Sequence, residues 1–368
     1  MVEHPFTSVI IEILTDDFDS DAQKIFSTSE LLQYINIKSV AANRGSKSRP
    51  SFGNLYAIYA LIEDYIQKDF HKNNNYGEYS GANFTNLLKR MRELPFGSKL
   101  QNHILNHRLN EDYKKYFPTT DVLPVIRDTK SKKYWVNESL LKISIGQNEH
   151  NIASSIVKII DAYVEAKKKM FDEFIKLCEN LKLIKNLESD DISNFILEQL
   201  APNVDARVFE IVSYSILKFF YHDITIFIGE SKATITEKNL TLYKTGRTNA
   251  NDGGIDFVMK PLGRFFQVTE TLDFKKYFLD IDKVEKFPIT FVIKSNDEIT
   301  EISEKIRSKA KAQYGIEAIV EKYMDCIEEI INIPNLISKF EHAKSAGYLS
   351  EILDEILIQS KIEFNYEE

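Results

Sequence analysis

Cysteine is nearly absent. Cys178 and Cys326 are the only two in 368 residues, and neither has a Cys or His beside it at zinc spacing, so neither a disulfide framework nor a structural zinc is indicated. Both read as ordinary buried or near-surface thiols. Long apolar runs are also lacking: nothing approaches the ~18 continuous apolar residues of a membrane span. The N-terminus, Met1-Val-Glu-His-Pro5, does not have the basic-then-apolar order of a signal peptide. Internal repeats and low-complexity tracts are missing as well. The expectation is a cytoplasmic protein. Hydrophobic residues make up 43% of the chain and aromatics 12%, enough to bury one large core or two ordinary ones, and two regions are expected.

The net charge of −8 argues at first against a polyanionic partner. Its distribution does not. From Lys38 to Lys133 there are 17 Lys and Arg against 9 Asp and Glu, a balance of +8 that leaves −16 on the rest of the chain. Such asymmetry is the footprint of a local nucleic-acid surface, with an ordinary solvated surface as the alternative.

Residues 1–145 mix short helical patterns with polar loops and read as a largely helical N-terminal region. Leu55, Ile58, Tyr59, Leu61, Ile62 and Ile66 keep a helical period. Before them, Ala42 to Gly53 is a loop with three cations and no apolar face. A basic helix is expected over Phe84–Glu93, broken by Pro95 and Gly97. Ile152 to Ile184 carries apolar residues at three-and-four spacing over about nine turns, a long amphipathic helix that joins two regions, forms a dimer seam or packs within one subunit. Residues 146–200 are read as this helical connector and 201–368 as a second region.

In that second region the pattern turns to alternation. Asp223–Gly229, Leu240–Tyr243, Ile255–Val258, Phe265–Thr269 and Ile289–Ile293 read as strands, with a helix over Asp273–Phe287 between the last two. Strand, helix, strand implies a crossover, hence an α/β (α+β) fold with a mixed sheet flanked by helices. The tail from Glu298 reads as helical with a loop near Ile333-Pro-Asn.

The most informative segment is Asp252-Gly-Gly-Ile-Asp256, followed on the next strand by Gln267-Val-Thr269-Glu270. Gln267 and Thr269 project from one face of an otherwise apolar strand, where an unpaired polar group is costly. Upstream, Val208 to Phe220 is apolar almost all round, with Glu210 among its few polar side chains. Each piece has a plain structural alternative: a β-turn for the Asp-Gly-Gly segment, an ion pair with Arg207 or a neighbouring strand residue for Glu210, and a satisfied core amide for Gln267. Together, a helix Glu, a strand Asp after a Gly-Gly turn and a strand Gln-x-Thr resemble the PD-(D/E)xK nuclease superfamily. The pairing of Asp-Gly-Gly-Ile-Asp with Gln-x-Thr looks like the variant found in type II restriction endonucleases and Mrr-like nucleases. The resemblance covers roughly residues 200–295.

That resemblance implies a restriction-endonuclease-like sheet and a Mg²⁺-dependent, site-specific DNA endonuclease, bacterial and cytoplasmic, acting as a homodimer on duplex DNA. Asp256, Glu210 and Gln267 would hold Mg²⁺, which prefers oxygen donors and uses one or two carboxylates plus substrate phosphate. Catalytic candidates are Glu210, Asp256, Gln267, Thr269, Glu270 and Lys260. The family's strand usually ends in Lys where this chain has Thr269, and a hydroxyl carries no charge to stabilise developing oxyanions. Lys260, Arg264, Lys275 and Lys276 are the nearby cations that could substitute. DNA contacts are expected from Asn43, Arg44, Lys47 and Arg49 on the basic loop, with Asn54 at its far end, and from Lys89, Arg90, Arg92, Arg108 and Arg247, base edges being read by Arg, Lys, Asn and Gln and phosphates by any of the cations. His103 and His107, four apart, have no third ligand and read as a helix face. The alternatives are a modification-dependent or repair nuclease, and a DNA-binding or toxin-neutralising module on an inactive nuclease fold.

Overall fold

The computed structural model describes residues 3–40, 48–72, 75–98, 100–183, 189–245, 255–270, 274–284 and 287–364. The chain divides into two compact units, Met1–Glu173 and Phe174–Glu368.

The first unit is built on helices α1 (Pro5–Phe18), α2 (Ala22–Thr28), α3 (Glu30–Ser39), α4 (Ser48–Gln67), α5 (Phe84–Glu93), α6 (Leu109–Tyr116) and the first part of α7 (Ala153–Leu183). The expected basic helix is α5, capped by the Asn83 side chain, which accepts from the Thr85 N–H. The three-and-four stripe is α7, with Ile156, Ile159, Ile160, Tyr163 and Phe171 buried. The unit boundary falls inside this helix, so the connector expected over 146–200 is shared between both units. The region is less purely helical than its sequence suggests. Short strands β1 (Ala82–Asn83), β2 (Val125–Asp128) and β3 (Lys133–Val136) form an antiparallel sheet, and β4 (Lys142–Ile145) pairs with β5 (Asn148–Asn151) as a hairpin. These strands are two to four residues long, too short for alternation to show.

The second unit carries α8 (Ser189–Glu198), α9 (Ala206–Phe220), a hairpin of β6 (Thr225–Ile228) and β7 (Thr236–Asn239), and then β8 (Thr241–Lys244), β9 (Phe257–Lys260), β10 (Arg264–Thr269), α10 (Phe274–Lys283), β11 (Ile289–Ile293), α11 (Ile299–Tyr314), α12 (Glu317–Met324), β12 (Ile327–Ile331), α13 (Ile333–Ser345) and α14 (Leu349–Phe364). Strands β8 to β12 form one sheet in the order β12-β11-β10-β9-β8. It is antiparallel across β8, β9 and β10 and parallel across β10, β11 and β12. This is the mixed sheet with flanking helices expected of an α+β chain. Parallel neighbours need crossovers, and α10 supplies the first. One face is covered by Tyr277, Phe278 and Ile281 of α10 with Ile302 and Ile306 of α11, against Ile289, Phe291 and Ile293. The other carries α9, whose Tyr214 meets Phe257 at 5.2 Å between ring centroids and which packs on α13 and α14.

Two features of the tail differ from the sequence reading. Residues Ile327–Ile331 are a fifth sheet strand, where a helix is expected; Glu328 and Glu329 mask its apolar character, yet both find cationic partners, in Arg264 and Lys339. Ile333-Pro-Asn is the first turn of α13 rather than a loop. Pro at the helix start gives up no intrahelical hydrogen bond, and the Asn332 side chain caps the turn. No described helix is long and apolar enough to cross a membrane.

Candidate active site

Asp256 immediately precedes β9, whose Phe257 pairs with Phe266 of β10. Its backbone N–H donates to the Phe266 carbonyl at 3.1 Å, and its carboxylate then takes the place of the next ladder acceptor: Oδ2 receives the Val268 N–H at 2.7 Å and the Gln267 Nε2 at 2.7 Å. The sequence expectation that Asp256 and Gln267 share one place is met. Because the Gln267 amide nitrogen is bound to a carboxylate, its orientation is decided, and Oε1 is the remaining end. That oxygen is buried without a hydrogen-bond partner. A buried orphan acceptor costs on the order of 1–3 kcal/mol, so this amide is not the satisfied core group of the plain structural alternative.

Gln267 and Thr269 are in register with Phe291 and Ile293, which fixes them to the α10 face of the sheet; both are buried. Glu210 comes from the other face. It lies on α9, capped by the Asp205 side chain at the Arg207 N–H, and its carboxylate pairs with Lys244 Nζ at 3.3 Å. Lys244 ends β8 opposite Phe257 and so points to α9. The expected single shell of Glu210, Asp256 and Gln267 is thus resolved into two pairs leaving opposite faces, Asp256 with Gln267 and Glu210 with Lys244. Glu270, one residue past Thr269, turns away from Gln267 as alternation requires and meets Lys294 Nζ at 3.0 Å. Lys294, just after β11, is 2% exposed at its side chain; it also donates to the Val204 carbonyl and lies over the Phe209 ring of α9.

Lys260 is a correction. It stands at the opposite end of β9 from Asp256, roughly 13 Å along a strand rising ~3.4 Å per residue, and its ammonium sits over the exposed Tyr243 ring. Arg264 is likewise occupied at the far end of β10, by Thr290, Glu328 and Glu329. The side chains of Lys275 and Lys276 lie outside the described residues, as do Asp252, Gly253 and Gly254. The cations that the sheet brings toward this end are Lys244 and Lys294, neither singled out from the sequence. A signal existed: each is a charge that immediately follows an expected strand, Leu240–Tyr243 or Ile289–Ile293, and a charge carried into a sheet calls for a carboxylate partner.

Of the expected DNA contacts, Asn43, Arg44, Lys47 and Arg247 lie outside the described residues, and so does the side chain of Arg49 in the first turn of α4. Lys89 is exposed, 3.8 Å from Glu93. Arg92 donates to the Leu100 carbonyl at 3.0 Å. Arg108 donates to His103 Nε2 at 3.0 Å. Arg90 is a correction, since its fork grips Glu63 through two bonds of 2.7 Å, the bidentate geometry it would otherwise offer a phosphate. Asn54 is also corrected: it is buried, donating to Tyr34 Oη and Asp112 Oδ2 at 2.9 Å each, and cannot read a base.

Among the described residues no group of three or more His, Cys, Asp or Glu side chains is placed to hold a metal ion. The oxygen donors at the Asp256 site are one carboxylate and one amide carbonyl. Mg²⁺ accepts so small a protein set because substrate phosphate and water complete its shell, and the orphaned Gln267 Oε1 beside a carboxylate fits that demand. A scan against protein-family models and searches of curated proteins and of solved structures match nothing to this chain.

Proposed function

We propose that the chain is a Mg²⁺-dependent endonuclease that hydrolyses phosphodiester bonds of double-stranded DNA, of the type II restriction kind. The observation that carries this reading is the contact of Asp256 with Gln267 at 2.7 Å, with the amide oxygen left buried and unsatisfied. A protein that needed only to close the β9–β10 ladder could do so with the backbone and would gain nothing from an orphan acceptor.

Asp256 and Gln267 Oε1 would hold the ion, which when bound supplies neutralisation of phosphate charge and activation of water. The chain's own residues do the rest. The Gln267 Nε2 and Val268 N–H bonds keep the Asp256 carboxylate aimed. Lys244 and Lys294 reach the same end of the sheet but on its α9 face, each paired with a carboxylate, Glu210 and Glu270, so they would hold that end together behind the site rather than stand in for the usual strand lysine at Thr269. The exposed cations Lys89 and Arg108 would meet phosphates.

The test is supercoiled plasmid with Mg²⁺ and with chelator. Discrete, metal-dependent fragments are expected, and Asp256→Ala should abolish cleavage while keeping the mobility shift of duplex DNA; retained cleavage rejects the assignment of Asp256. Thr269 in the lysine position favours one second reading, a DNA-binding module on an inactive nuclease fold. A mobility shift without cutting under any divalent ion is its outcome. Comparing methylated with unmethylated plasmid separates a restriction enzyme from a modification-dependent one.

A further inference from the structure

The β6–β7 hairpin stands apart from the five-stranded sheet, and two strands alone are marginal in water. Its two outer edges differ in chemistry. Strand β7, Thr236-Glu-Lys-Asn239, presents Glu237 and Lys238, charges of the kind that keep an edge from pairing. Strand β6, Thr225-Ile-Phe-Ile228, has no charge at all, and no described residue pairs with its outer edge. Phe227 is 73% exposed and Ile235, across the hairpin mouth, 51%.

We propose that a second copy of this chain occupies this edge, the two β6 strands pairing antiparallel about a two-fold axis at Phe227. A two-fold that joins antiparallel strands runs perpendicular to the sheet and keeps each face on its own side, so only residues of equal parity can oppose each other. Centred on Phe227, the register sets Phe227 against its own copy, Ile226 against the partner's Ile228 and Thr225 against the partner's Gly229, with no charge opposed. The same operation on β7 would set Glu237 against Glu237 or Lys238 against Lys238. The β6 edge is therefore self-complementary and the β7 edge self-repelling. The exposed surface of Phe227, Ile228, Ile235 and Ile224 amounts to roughly 400 Å² per copy, so pairing covers at most roughly 800 Å² in all, below the size of stable interfaces, and the dimer is therefore a weak, concentration-dependent one. This inference does not depend on the nuclease reading.

Sedimentation velocity of the full chain, without DNA or metal, tests it. A monomer–dimer transition over about 1–100 µM is expected, weakened at least tenfold in Phe227→Glu, whose exposed position tolerates a charge without unfolding. Phe227→Cys under a mild oxidant should cross-link to a covalent dimer, because directly opposed residues lie within disulfide reach, ~4.5–5.5 Å between Cα atoms, and Cys178 and Cys326 are buried. A wild-type chain that stays monomeric to 100 µM overturns the proposal, as does a dimer unmoved by Phe227→Glu or a Phe227→Cys chain that does not cross-link.

Discussion

Replacing Gln267 with Glu changes one atom's chemistry at the point where the site is most exactingly built. In the native chain an amide N–H donates to Asp256 Oδ2 at 2.7 Å. In Gln267→Glu the donor becomes a second carboxylate facing the first. The lost hydrogen bond to a charged group costs about 1.5–3 kcal/mol. Two like charges at ~4 Å repel by up to about 4 kcal/mol at an effective dielectric near 20, an amount reduced by the partial exposure of Asp256 and by relaxation. A net loss of about 3 kcal/mol is expected, or roughly 6–12 °C in Tm for a unit of this size. The sign of two further dependences follows. Lowering the pH should relieve the penalty, since the shared site then takes a proton. Adding Mg²⁺ should relieve it too, because two carboxylates with nothing between them form a better cation site than a carboxylate and an amide; an ion at 100 times its Kd returns about 2.7 kcal/mol. The assay is thermal and urea unfolding of wild type and Gln267→Glu, with chelator and with millimolar Mg²⁺. If the variant is as stable as wild type without metal, or if Mg²⁺ shifts both equally, the geometry argued for Asp256 and Gln267 is wrong.

Two other outcomes are expected. Lys294→Met leaves the Glu270 carboxylate and the Val204 carbonyl without their buried donor and should destabilise the chain by about 3–5 kcal/mol in urea unfolding, partly restored by adding Glu270→Gln; a loss under about 1 kcal/mol would show that this pair does not hold the end of β11. In the first unit, burial, helped by the Arg108 guanidinium and by His107, holds the His103 imidazole below the usual histidine range, where it accepts from Arg108. A depressed imidazole gives stability that is complete above its unfolded value near pH 6.5 and is lost as pH falls below it, because the unfolded chain takes the proton first. Wild type should therefore lose Tm more steeply than His103→Gln between about pH 7.5 and 5, and parallel profiles would refute the assignment.

How far the fold could be read from sequence depended on how each element advertises itself. Helix α7 has more than eight turns of periodic apolar residues, and β11 is four apolar residues and a threonine set off from the preceding helix by Pro288, so both stand out locally. Strand β12 does not. Its Glu328 and Glu329 are tolerated only because Arg264 of β10 and Lys339 of α13 reach them, a tertiary fact with no local trace. The start of α13 failed for the opposite reason: Pro334 is a breaker inside a helix but a natural first-turn residue, and the deciding feature is the Asn332 cap just before it.

The candidate site shows the same division between what alternation reveals and what pairing conceals. Two-residue periodicity is enough to put Gln267 and Thr269 on one face and Glu270 on the other. It says nothing of which strands become neighbours, so the cations it points to are those close in sequence, such as Lys260 and Arg264. In the sheet those two lie at the wrong ends of their strands, whereas Lys244, from the strand on one side of β9, and Lys294, from the strand on the far side of β10, arrive at the right one. Strand order decides this, because an antiparallel meander followed by a parallel crossover brings the end of β8, the start of β9 and the ends of β10 and β11 to the same edge of the sheet. Both lysines nevertheless leave the α9 face while Thr269 faces α10, so strand order brings charge to the right end of the sheet but not to the face of Thr269, and the partly buried carboxylates of Glu210 and Glu270 hold both charges on the α9 side.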